Sequence, residues 1–267
     1  MTLRPMLAAL ASAAAVFSAS AGAAALPEQI HVEYSGSVLV AVPVANITIS
    51  AWLHDETYAG AANFRAGGLL RWFDDTDIVA STTGYRTGDD GRALSPWRYE
   101  HINHASGTNR TVGINFADGM AVPDVNPPFG SMGEPPASDA ERQGAYDPVT
   151  VMLNLMLSQP QGERPCEGRL PVFDGKARYD LRLEAGAMER VASSGYRGQA
   201  LRCRAYLEPV SGYDEGKRPT PEDIARPINI WLAQMEGAWV PVRFRARTRI
   251  GDINIVATRV YAGPMVQ

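Results

Sequence analysis

Lysine is almost missing from this chain of 267 residues. Lys176 and Lys217 stand alone among 25 Lys+Arg, so positive charge is carried almost entirely by guanidinium groups. Cysteine is as scarce, with Cys166 and Cys203 only. Neither has the closely spaced partner that zinc sites use, so a zinc centre is not indicated. After residue 25 no apolar run approaches the roughly eighteen residues of a spanning helix, which excludes a polytopic helical membrane protein. HExxH, GxSxG, P-loop and GxGxxG patterns are absent, so the common metalloprotease, esterase and nucleotide signatures are missing and no cofactor is expected. A formal net charge of -4 argues against a nucleic-acid partner. What is present is ordinary for a folded chain: 45% hydrophobic and 20% charged residues, which excludes wholesale disorder and a coiled coil.

The first 25 residues read as a secretory signal peptide. Arg4 supplies the positive start, residues 7–19 form a short apolar run, and small residues at 21–25 fit the small-x-small cleavage pattern. No cysteine lies near that point, so a lipid anchor there is not available. The Arg-over-Lys bias and the Ala-rich leader point to a bacterium with GC-rich codons. The expected place of the mature chain is therefore the periplasm. In an oxidising compartment Cys166 and Cys203 pair naturally as a disulfide, two buried thiols being the alternative. The closed loop of about 37 residues is worth roughly 4 kcal/mol in the chain-entropy model.

Period-2 alternation dominates residues 26–267. Strands are expected near 30–42, 45–53, 58–66, 77–86, 97–105 and 110–117. A second set is expected near 168–173, 176–183, 187–193, 199–208, 227–232, 240–249 and 253–261. Asp174-Gly175 is the strongest hairpin signal, and Gly251-Asp252 marks another. The fold class read from this is mainly β: a single antiparallel curved sheet or incomplete barrel in one domain, with one core-packing helix near 148–157. For that helix Asp147 is the cap and Pro148 the first turn, where a missing N–H costs nothing. Val149, Met152, Leu153, Met156 and Leu157 then share one face, expected to pack on the sheet or to line an adaptable ligand cavity. Thr220-Pro221-Glu222-Asp223 resembles a capping box. The Pro/Gly-rich stretch 121–146 reads as a long loop.

Charge is unevenly divided. Residues 24–150 hold seven Arg and no Lys against sixteen Asp+Glu, whereas 151–267 hold seventeen Lys+Arg against thirteen Asp+Glu. The most distinctive local feature lies in the second half: Arg243, Arg245, Arg247 and Arg249 alternate with Val242, Phe244, Ala246, Thr248 and Ile250. On a strand the guanidinium groups project from one face. Arg178 with Arg182, and Arg202 with Arg204, follow the same alternation on neighbouring expected strands. Guanidinium forks suit phosphate or carboxylate groups, so these eight arginines form a candidate anionic-ligand face. The plainer reading is a solvated surface partly neutralised by Asp180 and Glu208. His101 and His104 are three apart, which puts them on opposite faces of a strand and argues against a shared metal. Asp74, Asp75 and Asp77 lack the Gly and Glu spacing of a calcium loop and read as a solvated turn.

Several segments resemble a known family. They are DPVTVMLNLML (147–157), CEGRLPVFDGKARYDLRL (166–183), YRGQALRCRAYLEPVSGY (196–213) and INIWLAQMEGAWVPVRFRARTRIGDINI (228–255), with TYAGAANFRAGGLLRWF (57–73) and IVASTTGYRT (78–87). Together they resemble the exported proteobacterial domain-of-unknown-function family numbered 3108. The resemblance implies an exported, mostly β protein in which both cysteines recur together. It supplies no activity, cofactor or catalytic residue. Function is thus expected to be non-catalytic: a curved sheet wrapping the 148–157 helix encloses an apolar groove for a lipid or another amphiphilic envelope component, with Met152, Leu153, Met156 and Leu157 in its lining and arginines at its rim. The alternatives are an envelope scaffold docking through its charged sheet face, and a hydrolase pairing His101 with carboxylates from the 74–77 or 89–90 turns.

Overall fold

The computed structural model describes residues 26–38, 42–67, 77–104, 109–157, 165–248 and 251–266. The leader, Asp74, Asp75 and Arg249 lie outside the described residues. Strands β1 (Gln29–Val38), β2 (Val42–Leu53), β3 (Thr57–Ala66), β4 (Asp77–Thr87), β5 (Ala93–Asn103), β6 (Arg110–Ala117) and β7 (Met120–Asn126) form one antiparallel meander. Strands β8 (Gly168–Phe173), β9 (Arg178–Ala192), β10 (Arg197–Ser211), β11 (Ile228–Met235), β12 (Ala238–Thr248) and β13 (Gly251–Gly263) form a second. β1 pairs with β13, Gln29 opposite Gly263 and Val38 opposite Ile253, which fuses the two meanders into one sheet of 13 strands. The borders of that sheet are β7 and β8, which are consecutive in the chain.

The connection between these borders carries helices α1 (Asp139–Arg142) and α2 (Pro148–Leu157). Between the helices, Gln143 bridges Met120 on β7 and Tyr146 bridges Val172 on β8. Tyr146 N donates to Pro171 O at 2.9 Å, and Phe173 N donates to Tyr146 O at 2.8 Å. This strap brings the sheet close to a closed barrel. The Asp174-Gly175 hairpin joins β8 to β9 as the sequence indicates. Gly175 sits at φ +100, and a Cβ there would lie 2.3 Å from Val112 on β6, so the turn leans across the seam in a way only glycine permits.

Inside the sheet lies α2. Asp147 Oδ1 accepts from Val149 N at 3.0 Å and Thr150 N at 2.8 Å, which caps the helix as expected. Leu153 and Leu157 are fully buried and Met156 nearly so, while Leu155 turns toward a second cluster with Leu183, Ala205, Ile230 and Leu232. The helix is therefore enclosed almost all round, where the sequence suggested one apolar face. The curling of the sheet explains the difference, because strands meet the helix from several directions. The approach is tight: a Cβ on Gly60 of β3 would come within 2.8 Å of Leu153 Cδ1. The apolar stripe Leu153, Met156 and Leu157 thus packs the interior at this contact, with Met152 partly buried beside it.

The polar side chains on and at the start of α2 are engaged. Thr82 Oγ1 donates to Asp147 Oδ2 at 3.0 Å, and Tyr58 and Thr150 share a hydroxyl bond of 2.7 Å. Leu94 N donates to Asn154 Oδ1 at 3.0 Å, which ties the helix to β5. At the far end Arg92 donates to Leu157 O and Gly237 O, satisfying a terminal helix carbonyl and pinning two turns to it.

Two further expectations are revised. The stretch 121–146 is not all loop: residues 120–126 form β7, whose Pro123 lies opposite Ile114 and occupies a border strand, the place where a missing N–H is tolerated. The two strands expected at 176–183 and 187–193 are one, β9. Ala185, Gly186 and Ala187 interrupt the side-chain alternation there, but the pairing to β10 runs on past them.

Candidate functional site: an arginine-lined cleft outside the sheet

On β12 the inward residues Val240 and Val242 are fully buried, so Arg243, Arg245 and Arg247 point outward. β11 stands between β12 and β10. Its Trp231 lies opposite Arg243 on one side and Arg202 on the other, and its Asn229 lies between Arg245 and Arg204. The Arg243 guanidinium lies over the Trp231 ring, 4.9 Å from its centre. Trp231 Nε1 donates to Glu189 Oε2 at 2.8 Å, and the other oxygen of Glu189 meets Arg202 at 3.0 Å. Arg243 Nε donates to Asn254 Oδ1 at 2.8 Å, and Arg245 pairs with Asp252 at 2.7 Å. Partial burial and the neighbouring Arg245 push the Arg243 guanidinium below its usual value.

These side chains line a cleft of about 530 Å³, with Arg226 and Pro227 forming another wall. Its volume lies within the usual range for small-molecule sites. Five guanidinium groups, from Arg202, Arg226, Arg243, Arg245 and Arg247, face two carboxylates, Glu189 and Asp252. Among the described residues Arg247 has no ion-pair partner, while Arg226 is paired with Glu222.

The remaining candidate arginines lie elsewhere. Arg182 pairs with Glu208 and Glu184, Arg204 with Glu184 at 3.1 Å, and Arg169 with Glu208 at 2.8 Å. Arg178 pairs with Asp180 at 2.6 Å and donates to Glu141 O at 2.7 Å beside α1. The structure thus brings Arg202, Arg243, Arg245 and Arg247 together, and leaves Arg178, Arg182 and Arg204 outside the cleft. Sequence reading missed Arg226, Asn229 and Trp231. A usable signal was there: Trp231 and Asn229 share the outward face of an alternating strand flanked by arginine strands.

Cys166 and Cys203 form the expected disulfide, with Cα atoms 5.6 Å apart, against the second core cluster. His101 Nδ1 is 3.1 Å from the Tyr99 hydroxyl; burial lowers its basicity, and the charge acting on it is that of Asp174. Asp77 pairs with Arg65 at 3.3 Å, and Asp90 approaches Arg92 at 3.7 Å. Among the described residues no group of acidic, histidine and cysteine side chains is arranged to hold a metal, and no helix is long and apolar enough to cross a membrane.

Fold and site define a class: a mainly antiparallel, nearly closed barrel filled by its own helix, with a basic cleft on the outside. The chain belongs to the family described as "Protein of unknown function (DUF3108)", whose model matches residues 29–258. Among curated proteins none matches it. Three solved structures are similar in part. A β-barrel-like protein of domain of unknown function DUF1849 from Brucella abortus has a TM-score of 0.49 at 8% identity, covering 90% of this chain and 99% of that one. A protein from Parabacteroides distasonis described as a putative lipoprotein has 0.36 at 8% identity, covering 89% and 97%. One from Bacteroides fragilis described as a putative exported protein with YmcC-like fold has 0.32 at 9% identity, covering 90% and 99%.

Proposed function

We propose that the protein is an exported, non-catalytic binding protein of the cell envelope, and that it holds a phosphate- or carboxylate-bearing envelope component in the outer arginine cleft. Export rests on the signal-like residues 1–25. The observation that carries the binding reading is the charge balance of the cleft: with Arg226 neutralised by Glu222, four guanidinium groups still face two carboxylates in a concave space of about 530 Å³. Guanidinium forks bind such oxyanions in a bidentate fashion. The binding place is the outside of the sheet, because α2 already packs the interior. The test is calorimetric titration with inorganic phosphate at low salt. Binding that disappears in the Arg243→Gln, Arg245→Gln double variant supports the reading. An unchanged isotherm in that variant, or no binding by the parent protein, refutes it.

A further inference from the structure

A second hollow adjoins the outer cleft across Arg226, Pro227 and Arg247. β10 and β12 are both paired through β11 only as far as Ile228, which lies opposite Ala205, and Asn229, which lies opposite Arg245. β10 runs on to Ser211 and β12 to Thr248 without a strand between them. The chain that would have filled the gap instead rises away as residues 219–227, with helix α3 (Pro221–Ile224) capped by Thr220. The sheet is left split, and the split is a second hollow of about 350 Å³. Its lining is mainly apolar, with Leu207 from β10, Ala246 from β12 and Ile228 at the start of β11 on the inward-facing side of their strands, Pro219 and Pro227 from the connecting segment, and one carboxylate, Asp223, so that the split joins this side to the arginine face. Ile228 is 37% exposed, an uncovered apolar side chain at the floor of a concavity. The two hollows share Arg226, Pro227 and Arg247 as a common wall.

One side of that wall presents guanidinium groups and the other presents hydrocarbon. A ligand that satisfies both has an anionic end and an aliphatic end on one molecule. We infer that the cleft takes a single-chain anionic amphiphile, its phosphate or carboxylate head between Arg202, Arg243 and Arg245 and its hydrocarbon tail in the split between β10 and β12, with Arg247 at the junction. This rests on the anion-binding reading above and adds the tail. Arginine suits the junction because its stem covers apolar surface while its head stays with the charge. The walls are residues already present in the folded chain, so the tail is bound by area removed from water, at up to about fourfold in affinity per methylene when burial is full and about twofold when it is partial.

The experiment compares four probes by calorimetry on the folded exported chain, all below their micelle thresholds: inorganic phosphate, ethyl phosphate, octyl phosphate and octyl glucoside. Octyl phosphate is expected to bind at least tenfold tighter than ethyl phosphate, and octyl glucoside far more weakly than octyl phosphate. Ile228→Ser removes exposed apolar surface at the tail site without touching the core, and is expected to cut the octyl gain at least threefold while leaving ethyl phosphate affinity unchanged. Arg243→Gln is expected to weaken both phosphates. Equal affinity for ethyl and octyl phosphate overturns the tail site and leaves the anion-binding reading standing. An octyl gain untouched by Ile228→Ser, in a variant whose circular dichroism matches the parent, places the tail elsewhere and also overturns it. Octyl glucoside binding as tightly as octyl phosphate overturns the joint head-and-tail site. Failure of all three phosphates to bind refutes the anion-binding reading itself.

Discussion

The outer faces of β8–β10 and of β11–β13 carry the same residue type at the same two-residue spacing, yet they are different surfaces. On the first, Arg169, Arg182 and Arg204 are laced to Asp180, Glu184 and Glu208: Glu184 lies directly across from Arg204 and two places along its own strand from Arg182, while Asp180 and Glu208 reach the arginines diagonally. On the second, the strand between the arginines offers Trp231 and Asn229 in the corresponding places. A neutral strand set between basic ones leaves guanidinium groups partly uncompensated, whereas acidic residues within reach along and across the ladder consume them. A run of alternating arginines therefore has no meaning by itself; its meaning is fixed by what the neighbouring strands place opposite.

The largest expected effect separates the two regions by stability. The Cys166–Cys203 bridge fastens the start of β8 to β10, on the paired side. Replacing both cysteines by Ala should lower unfolding free energy by about 4 kcal/mol in denaturant titration. Phosphate affinity in the cleft should stay within about twofold, and a larger loss would show that the two faces are not independent. The next effect sets both surfaces against the interior. Burial holds the Asp147 carboxyl up at about 6, so between about pH 4 and 6 the folded chain keeps a proton that the unfolded chain has released. Stability should fall as pH rises through that window and level off above it. Asp174, raised by its burial, adds to the same slope. Asp147→Asn should flatten the profile measured by chemical denaturation, and an unaltered slope would contradict the assignment.

Smaller again, Asn229→Glu would install a carboxylate between Arg204 and Arg245, turning the open face into a paired one. Anion affinity should drop about tenfold by calorimetry, and a drop under twofold would break the contrast drawn above. The smallest change is expected from Arg204→Gln. As one partner of a partly exposed pair it should cost no more than about 1 kcal/mol in thermal unfolding and shift phosphate binding less than twofold.

Much of the architecture was readable because it rests on local chemistry. Alternating side chains named most strands, Asp174-Gly175 its hairpin, and Asp147-Pro148 the start of α2. β7 escaped because Pro123 and Asp124 break strand propensity and only its place at the border accommodates them. The capping box at Ser138 and Glu141, which starts α1, was legible but lay inside a stretch rich in Pro and Gly. The site was half legible. Alternation alone put Arg243, Arg245 and Arg247 on one face, but which arginines keep a free hand depends on cross-strand register, and register is set by turns and bulges far along the chain. The inner surface of a curled sheet, likewise, follows from closure and not from any single strand, so the helix stripe gave no sign that α2 would be covered almost all round.

The strap at residues 143–146 gives this barrel a property beyond shape. It is a clasp that engages both margins of the sheet with a handful of main-chain bonds. One proteolytic nick there would release β7 and β8 together, each with a row of open amides and carbonyls, and a self-contained molecule would become one able to recruit strands from its own copies.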